Sequence, residues 1–224
     1  MGTTNGSSKL SIPAMIKRYE FSVLVGGVAC WAAYTLLFTE DRVNWFLDAG
    51  WVAVGLPLLL YSRRYFTLTS LLYWLFAIHA IVLVSGGYWT YEKNPLGLWL
   101  QQIFQTERNH YDRFGHFMQG FVPAIAFREL YSRCSPLAGS KWLGYFSVVS
   151  CIAFSALFEL LEWRATVMAG EEGGEFLGHQ GDIWDAQWDM TWAIAGAILS
   201  LMLLSRWHDR QLSQMKHNST SNLG

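Results

Sequence analysis

The sequence predicts an all-α membrane protein, a bundle of six transmembrane helices with both termini cytoplasmic, and three features predict it. Hydrophobic residues make up 52% of the 224-residue chain and charged residues only 15%, where a soluble domain averages about 25% charged. The apolar residues gather into six stretches, each near the roughly 20 residues that cross a hydrocarbon core. Twelve Trp and a 16% aromatic share suit rings anchored at two membrane interfaces. A soluble helical protein would need polar stripes on its helices, and most of these stretches have none. The formal net charge of -1 comes without a basic patch, so the chain is not expected to bind nucleic acid.

Residues 1–18 form a polar tail. The first span covers 19–38. Its basic approach, Lys17 and Arg18, and the run Val28-Ala29-Cys30 imitate a secretory leader, but the apolar stretch continues past Cys30 and is expected to be a retained helix. The second span covers 45–61 and the third 68–86. A long connection follows, in which Leu96, Leu98, Trp99, Ile103 and Phe104 predict a short interfacial helix. The fourth span, 112–131, is the least hydrophobic and carries His116, Gln119 and Pro123. The fifth covers 142–163. A Gly- and Glu-rich connection leads to the sixth, 183–204, and residues 205–224 read as a polar, basic tail. Cys30, Cys134 and Cys151 form no CxxC pair, so neither a disulfide framework nor a cysteine metal site is expected.

Orientation follows from the basic residues of the connections. With six spans both ends share a side, and that side holds eleven Lys and Arg against five on the other. Both termini are therefore expected in the cytoplasm, and the two long connections outside.

The polar chemistry collects at that outer end. Asp112, Arg113 and His116 open the fourth span, with Asp112 and His116 four apart on one face. Glu159 and Glu162 share a face near the end of the fifth span, and Asp182, Asp185 and Asp189 open the sixth. Acidic residues at a helix N-terminus also favour its dipole, which gives Asp182 and Asp185 a partly structural role. Charges inside a span are costly and face the bundle interior or a cavity. Arg113 and Arg164 are candidates to pair with some of these carboxylates. A divalent cation would neutralise more: His116, Glu159, Glu162, Asp185 and Asp189 are the candidate ligands, a donor set compatible with Zn, Mn or Fe. His79 alone reads as a core histidine, and a purely structural ion-pair network is the competing reading for the rest. No Ser or Cys has a base beside it, so no catalytic triad is expected.

The run Arg108-Asn109-His110-Tyr111-Asp112-Arg113, with His116-Phe117, Gly120-Phe121 and Arg128-Glu129, resembles the signature of the YjdF family of inner-membrane proteins. Phe158-Glu159-Leu160-Leu161-Glu162-Trp163, Gln180-Gly181-Asp182, Trp184-Asp185-Ala186-Gln187 and Asp189-Met190 extend the likeness over most of the chain. The resemblance implies a small multi-span protein of the bacterial inner membrane, with the lipid bilayer as its partner, and implies no reaction. A fainter topological likeness to VanZ-like proteins rests on Asp112, Arg113, His116, Glu159, Asp185 and Asp189, but the Asn expected after the last Asp is absent. Three functions remain open. One is an outward enzyme site built from Asp112, Arg113, His116, Glu159, Glu162, Asp182, Asp185 and Asp189, acting on an envelope lipid or lipid-linked substrate. The second is a proton-coupled transporter, which the apolar cytoplasmic halves of the spans disfavour. The third is a non-catalytic scaffold.

Overall fold

The computed structural model describes residues 12–169 and 181–221. The Gly- and Glu-rich connection, read as running from Arg164 to Gly181, is still helix up to Ala169, and its residues 170–180 lie outside the described residues. Seven helices and no strand occur among them: α1 Ile12–Phe38, α2 Arg42–Ser62, α3 Ser70–Trp89, α4 Pro95–Phe104, α5 Tyr111–Cys134, α6 Trp142–Ala169 and α7 Asp185–Ser221. Local chemistry sets the boundaries. Asp41, Thr69 and Asn94 each stand in extended backbone and accept a backbone N–H from Asn44, Leu72 and Leu96, capping α2, α3 and α4. Pro95 occupies the first turn of α4, where no N–H is missed. Gln105, in left-handed backbone, ends that helix, which is the short helix expected in the long connection. The last helix departs most from its reading. Its apolar run stops near Leu204, yet the helix continues to Ser221, because His208, Asp209 and Gln211 find partners on neighbouring elements.

Five helices are long and apolar enough to cross a membrane: Tyr19–Phe38 in α1, all of α2 and α3, Trp142–Met168 in α6 and Asp185–His217 in α7. Helix α5, with 24 residues, is long enough but too polar to join them, since it buries Asp112, His116, Gln119, Arg128 and Glu129. It lies inside the bundle, packed on α7 most extensively and also on α6 and α3. Burial by protein rather than by lipid lets so polar a helix sit among apolar ones. By contrast α1 and α2 leave broad apolar faces exposed, with Val23, Leu37, Trp51, Val54 and Leu58 outward.

The six long helices run alternately up and down. At one end Glu20 of α1 meets Ser70 of α3, Leu71 N–H donates to Gln211 of α7, and Thr69 meets Glu129 of α5. The starts of α1 and α3 and the ends of α5 and α7 therefore share that end. At the other, Trp45 of α2 donates to Thr35 of α1, and Tyr111 of α5 donates to the Val82 carbonyl of α3. Leu72, Val82, Met118, Val122 and Ile125 fill the α3–α5 core. Gly120 and Gly196 let α5 and α7 touch backbone to backbone: a Cβ on Gly120 would overlap the Ala193 carbonyl, and one on Gly196 the Phe117 carbonyl.

Candidate functional site

The site forms where α5, α6 and α7 meet at the end opposite the chain termini. Asn109 builds its entrance. Its amide donates to the carbonyls of Glu92 (2.8 Å) and Asn94 (3.3 Å), and its oxygen accepts the Tyr111 N–H at 3.0 Å. That clasp fixes the turn into α5 and aims Arg108 across the bundle. Arg108 holds Asp112 at 3.1 Å, makes a short bond to Asp185 and lies 3.7 Å from Asp182. Arg113 takes the outer place, 3.1 Å from Asp182 and over the Trp188 ring. Asp182 also accepts the Trp184 N–H, which turns the chain into α7.

One turn further in, His116 is the hub. Its Nδ1 lies 2.9 Å from Gln119 Oε1 and 3.6 Å from Glu159 Oε1. Its Nε2 lies 3.6 Å from Asp112 and 3.9 Å from Asp189. Phe158 packs edge-on against the ring. The amide oxygen of Gln119 only accepts, so the pair makes Nδ1 the protonated nitrogen and leaves the Nε2 lone pair facing Asp112 and Asp189. Ligand atoms of Asp112, His116 and Asp189 lie within 4.8 Å of one another, and so do those of His116, Glu159 and Glu162. The first group uses the nitrogen that Gln119 leaves free. The second would compete with Gln119 for Nδ1. Asp189 Oδ1 and Glu159 Oε1 are buried without a hydrogen-bond partner, which is costly for a carboxylate oxygen unless something cationic or donating meets it.

The sequence-derived residues are thus drawn into one region by three helices. Asp112, Glu159, Glu162 and Asp189 surround the His116 imidazole, whereas Asp182 and Asp185, the latter a candidate ligand on sequence, are held by guanidiniums away from it. The pairing expected of Arg113 falls mainly to Arg108, a residue that sequence reading placed in the cluster without a role. Asp48 was missed altogether. It sits in α2, accepts from Asn44 at 3.1 Å and faces the same cavity as Asp112 and His116. The signal was available: Asn44 and Asp48 are four apart in an otherwise apolar helix. In the loop, Tyr91 fills the space that Gly86 and Gly115 leave open. Its hydroxyl is pushed well above the ordinary tyrosine value, by burial first and then by Asp48 and Asp112, so it is a neutral donor. His110 is drawn below the ordinary histidine value by burial, then by Arg113 and Arg108.

A cavity of about 700 Å³ opens from the site. It runs between α2 and α6, with walls from α1, α3 and α5. The lining is apolar except for a few groups, among them Asp48, His79, Asp112, His116, Gln119 and Glu162 at the site end.

A second buried polar cluster occupies the opposite end. Glu129, wholly buried, accepts from Thr69 Oγ1 (2.7 Å), Arg133 (2.8 Å) and His208 Nε2 (3.1 Å). Arg128 donates to His208 Nδ1 at 2.9 Å and pairs with Asp209. The halves of the spans on the terminal side, expected to be largely apolar, therefore contain this knot. Its signal was Arg128-Glu129 inside a predicted span. From Gln119 to Arg128, nine residues or roughly 13 Å of helix, α5 carries no charged side chain.

Comparison with known proteins agrees with this architecture. The family model described as "Predicted membrane protein (DUF2238)" matches residues 21–210. The chain belongs to this family. A DUF2238 relative, the inner membrane protein YjdF of Escherichia coli (strain K12), is 41% identical over 179 residues, covering 80% of this chain and 86% of the relative. No solved structure matches the chain. With its apolar helices and this relative, the chain is a multi-pass DUF2238 protein of the inner membrane, seated in lipid. The resemblance to YjdF proteins read from the two polar blocks is borne out.

Proposed function

We propose that this DUF2238 protein crosses the membrane six times with both termini in the cytoplasm. Its outward site holds a divalent metal ion on Asp112, His116 and Asp189 and acts on an envelope lipid or lipid-linked substrate. Residues 1–18 and 205–224 flank the membrane domain of 19–204 on the cytoplasmic side. The observation that carries the reading is the convergence of Asp112, His116 and Asp189 around one imidazole nitrogen, with Asp189 Oδ1 buried and unpartnered. Charge supports it too. Among the described residues, the six carboxylates of Asp112, Glu159, Glu162, Asp182, Asp185 and Asp189 cluster with two guanidiniums, those of Arg108 and Arg113, and the His116 imidazole. A cation is the physical remedy for such an excess in a low-dielectric interior.

Gln119 fits the role of the partner that fixes a ligating histidine's tautomer. Three protein ligands leave a coordination position for water or substrate, where a metal would activate a nucleophile or polarise a carbonyl oxygen. Glu159 and Glu162, beside His116 and outside the favoured triad, are placed to accept or deliver a proton. Arg108 and Arg113 hold the acidic start of α7 in position. The transporter reading finds less support, because the apolar stretch of α5 separates the two polar ends.

The test is metal analysis of protein purified without chelator. About one divalent ion per chain is expected. His116→Ala and Asp189→Asn should lose at least tenfold of that content while eluting as folded protein, in line with the loss of a direct ligand. Wild-type protein free of metal after supply of Zn, Mn and Fe overturns the assignment.

A further inference from the structure

We infer that the cavity between α2 and α6 takes one alkyl chain of a membrane amphiphile whose head is a hydrogen-bond donor, an ammonium or hydroxyl group, without negative charge. This rests on the reading of the His116 region as the chemical centre and names the class of substrate that reaches it.

Shape is the first argument. Helix α2 packs on α1 and α3, and α6 packs on α5 and α7. Between α2 and α6 a side passage remains, bridged where the rings of Trp51 and Phe158 stand 5.9 Å apart. Both helices are among those able to cross a membrane, so the passage opens toward acyl chains. The lining runs along α2 from Asp48 to Ser62, fourteen residues or roughly 21 Å. One leaflet contributes about half of a ~30 Å hydrocarbon core. The passage is therefore long enough for one chain lying parallel to the helices. Its volume, about 700 Å³, falls in the range of roughly 300–1,000 Å³ typical of ligand pockets.

Charge is the second argument, and it selects the head group. The acid–base groups of the lining lie at the site end: the carboxylates of Asp48, Asp112 and Glu162 and the imidazoles of His79 and His116. Among the described residues no Lys or Arg lines the cavity, and Arg63, over the Phe21 ring, stands at the end away from the site. Arg108 and Arg113 stand behind it, engaged with Asp112, Asp182 and Asp185. A divalent ion on Asp112 and Asp189 would use those two charges and still leave Asp48 and Glu162 facing the head. His79 Nε2, buried with no hydrogen-bond partner, is a further polar atom at that end. An anionic head would find no Lys or Arg side chain on the described lining, whereas a donor head would find acceptor oxygens on Asp48 and Glu162.

The experiment uses the purified full-length protein in neutral-lipid nanodiscs. The probes are three photoreactive amphiphiles of equal chain length: a long-chain amine, a long-chain alcohol and a long-chain carboxylate. Labelled residues are mapped by mass spectrometry. The amine or alcohol should label the α2 and α6 lining, around Leu56, Phe154 and Leu161, on the order of tenfold above the carboxylate, the discrimination that about one hydrogen bond supplies. Gly55 lines the passage, and an added Cβ there meets nothing within 4 Å. Gly55→Trp should therefore block the labelling and leave metal content unchanged. Carboxylate labelling equal to or above the others overturns the inference. So does labelling spread over the outer faces near Val23 and Met202, or labelling of the lining that Gly55→Trp leaves unchanged. The head-group comparison in the wild type decides the matter even if that variant does not fold. Metal without lining label sinks this inference alone; lining label without metal sinks the metal assignment alone.

Discussion

Arg108 shows how one side chain organises the site. Its guanidinium faces Asp112 on its own helix entry and Asp185 at the start of α7, so it ties two elements that are 77 residues apart in sequence. Removing one member of a buried charged set leaves the rest uncompensated, at a cost of about 3–5 kcal/mol. Arg108→Ala is therefore expected to lower the thermal midpoint by roughly 10 °C, given about 2–4 °C per kcal/mol for a chain of this size. Arg108→Lys keeps the charge but loses the planar fork that serves two carboxylates together, and should fall between. Thermal unfolding in detergent measures both, and an unchanged midpoint for the Ala variant would mean that the pairs contribute nothing. At this scale the sequence was half legible. Polar residues in apolar helices announce that they matter, and the positions of Asp112, His116 and Glu159 follow from helical spacing. Which cation meets which carboxylate depends on how the Asn109 clasp aims the chain. That clasp draws on carbonyls 15 and 17 residues away, beyond the reach of any local pattern.

Among elements, the contact between α5 and α7 determines whether the site exists. His116 comes from one helix and Asp189 from the other, and they meet because Gly120 and Gly196 allow the backbones to approach. Any side chain at Gly120 must push α7 outward. Gly120→Val is expected to abolish stable folding or to separate the ligands, seen as aggregation in size-exclusion chromatography together with lost metal. Gly144→Ala is the control: its Cβ would meet only Leu201 Cδ1 at 3.8 Å, and it should behave as wild type. Helix spans were legible because bilayer thickness constrains their length. The helical end of α7 was not, because its stability comes from tertiary partners. His208 illustrates this. Arg128 only donates, so His208 Nδ1 accepts and Nε2–H donates to Glu129. A buried histidine with a partner at each ring nitrogen binds α7 to α5 far past the apolar run, a role that composition alone assigns to a solvated tail.

For the molecule as a whole, the distribution of Lys and Arg bears on which compartment the site faces. Eleven Lys and Arg were counted on the terminal side and five on the other. Some of these are not free to set topology. Arg128 and Arg133 are bound to Asp209 and Glu129, and Arg108 and Arg113 to the carboxylates of the site. Subtracting two from each side, 11 − 2 against 5 − 2, leaves nine against three. The bias survives the correction and strengthens as a ratio, which supports the proposal that the termini lie in the cytoplasm. Native cysteines supply the test. Cys134 is exposed, the last residue of α5 on the terminal side; Cys151 is buried; Cys30 lies within an apolar span. A membrane-impermeant maleimide applied to intact spheroplasts should leave wild-type protein unlabelled, and should reach Cys134 once the membrane is opened. Lys93→Cys in a Cys134→Ser background places a thiol at an exposed position of the α3–α4 connection, and it should label without opening. The reverse pattern would turn the polar site toward the cytoplasm. Its substrate would then have to come from the inner leaflet, and an envelope-facing reaction would no longer be tenable.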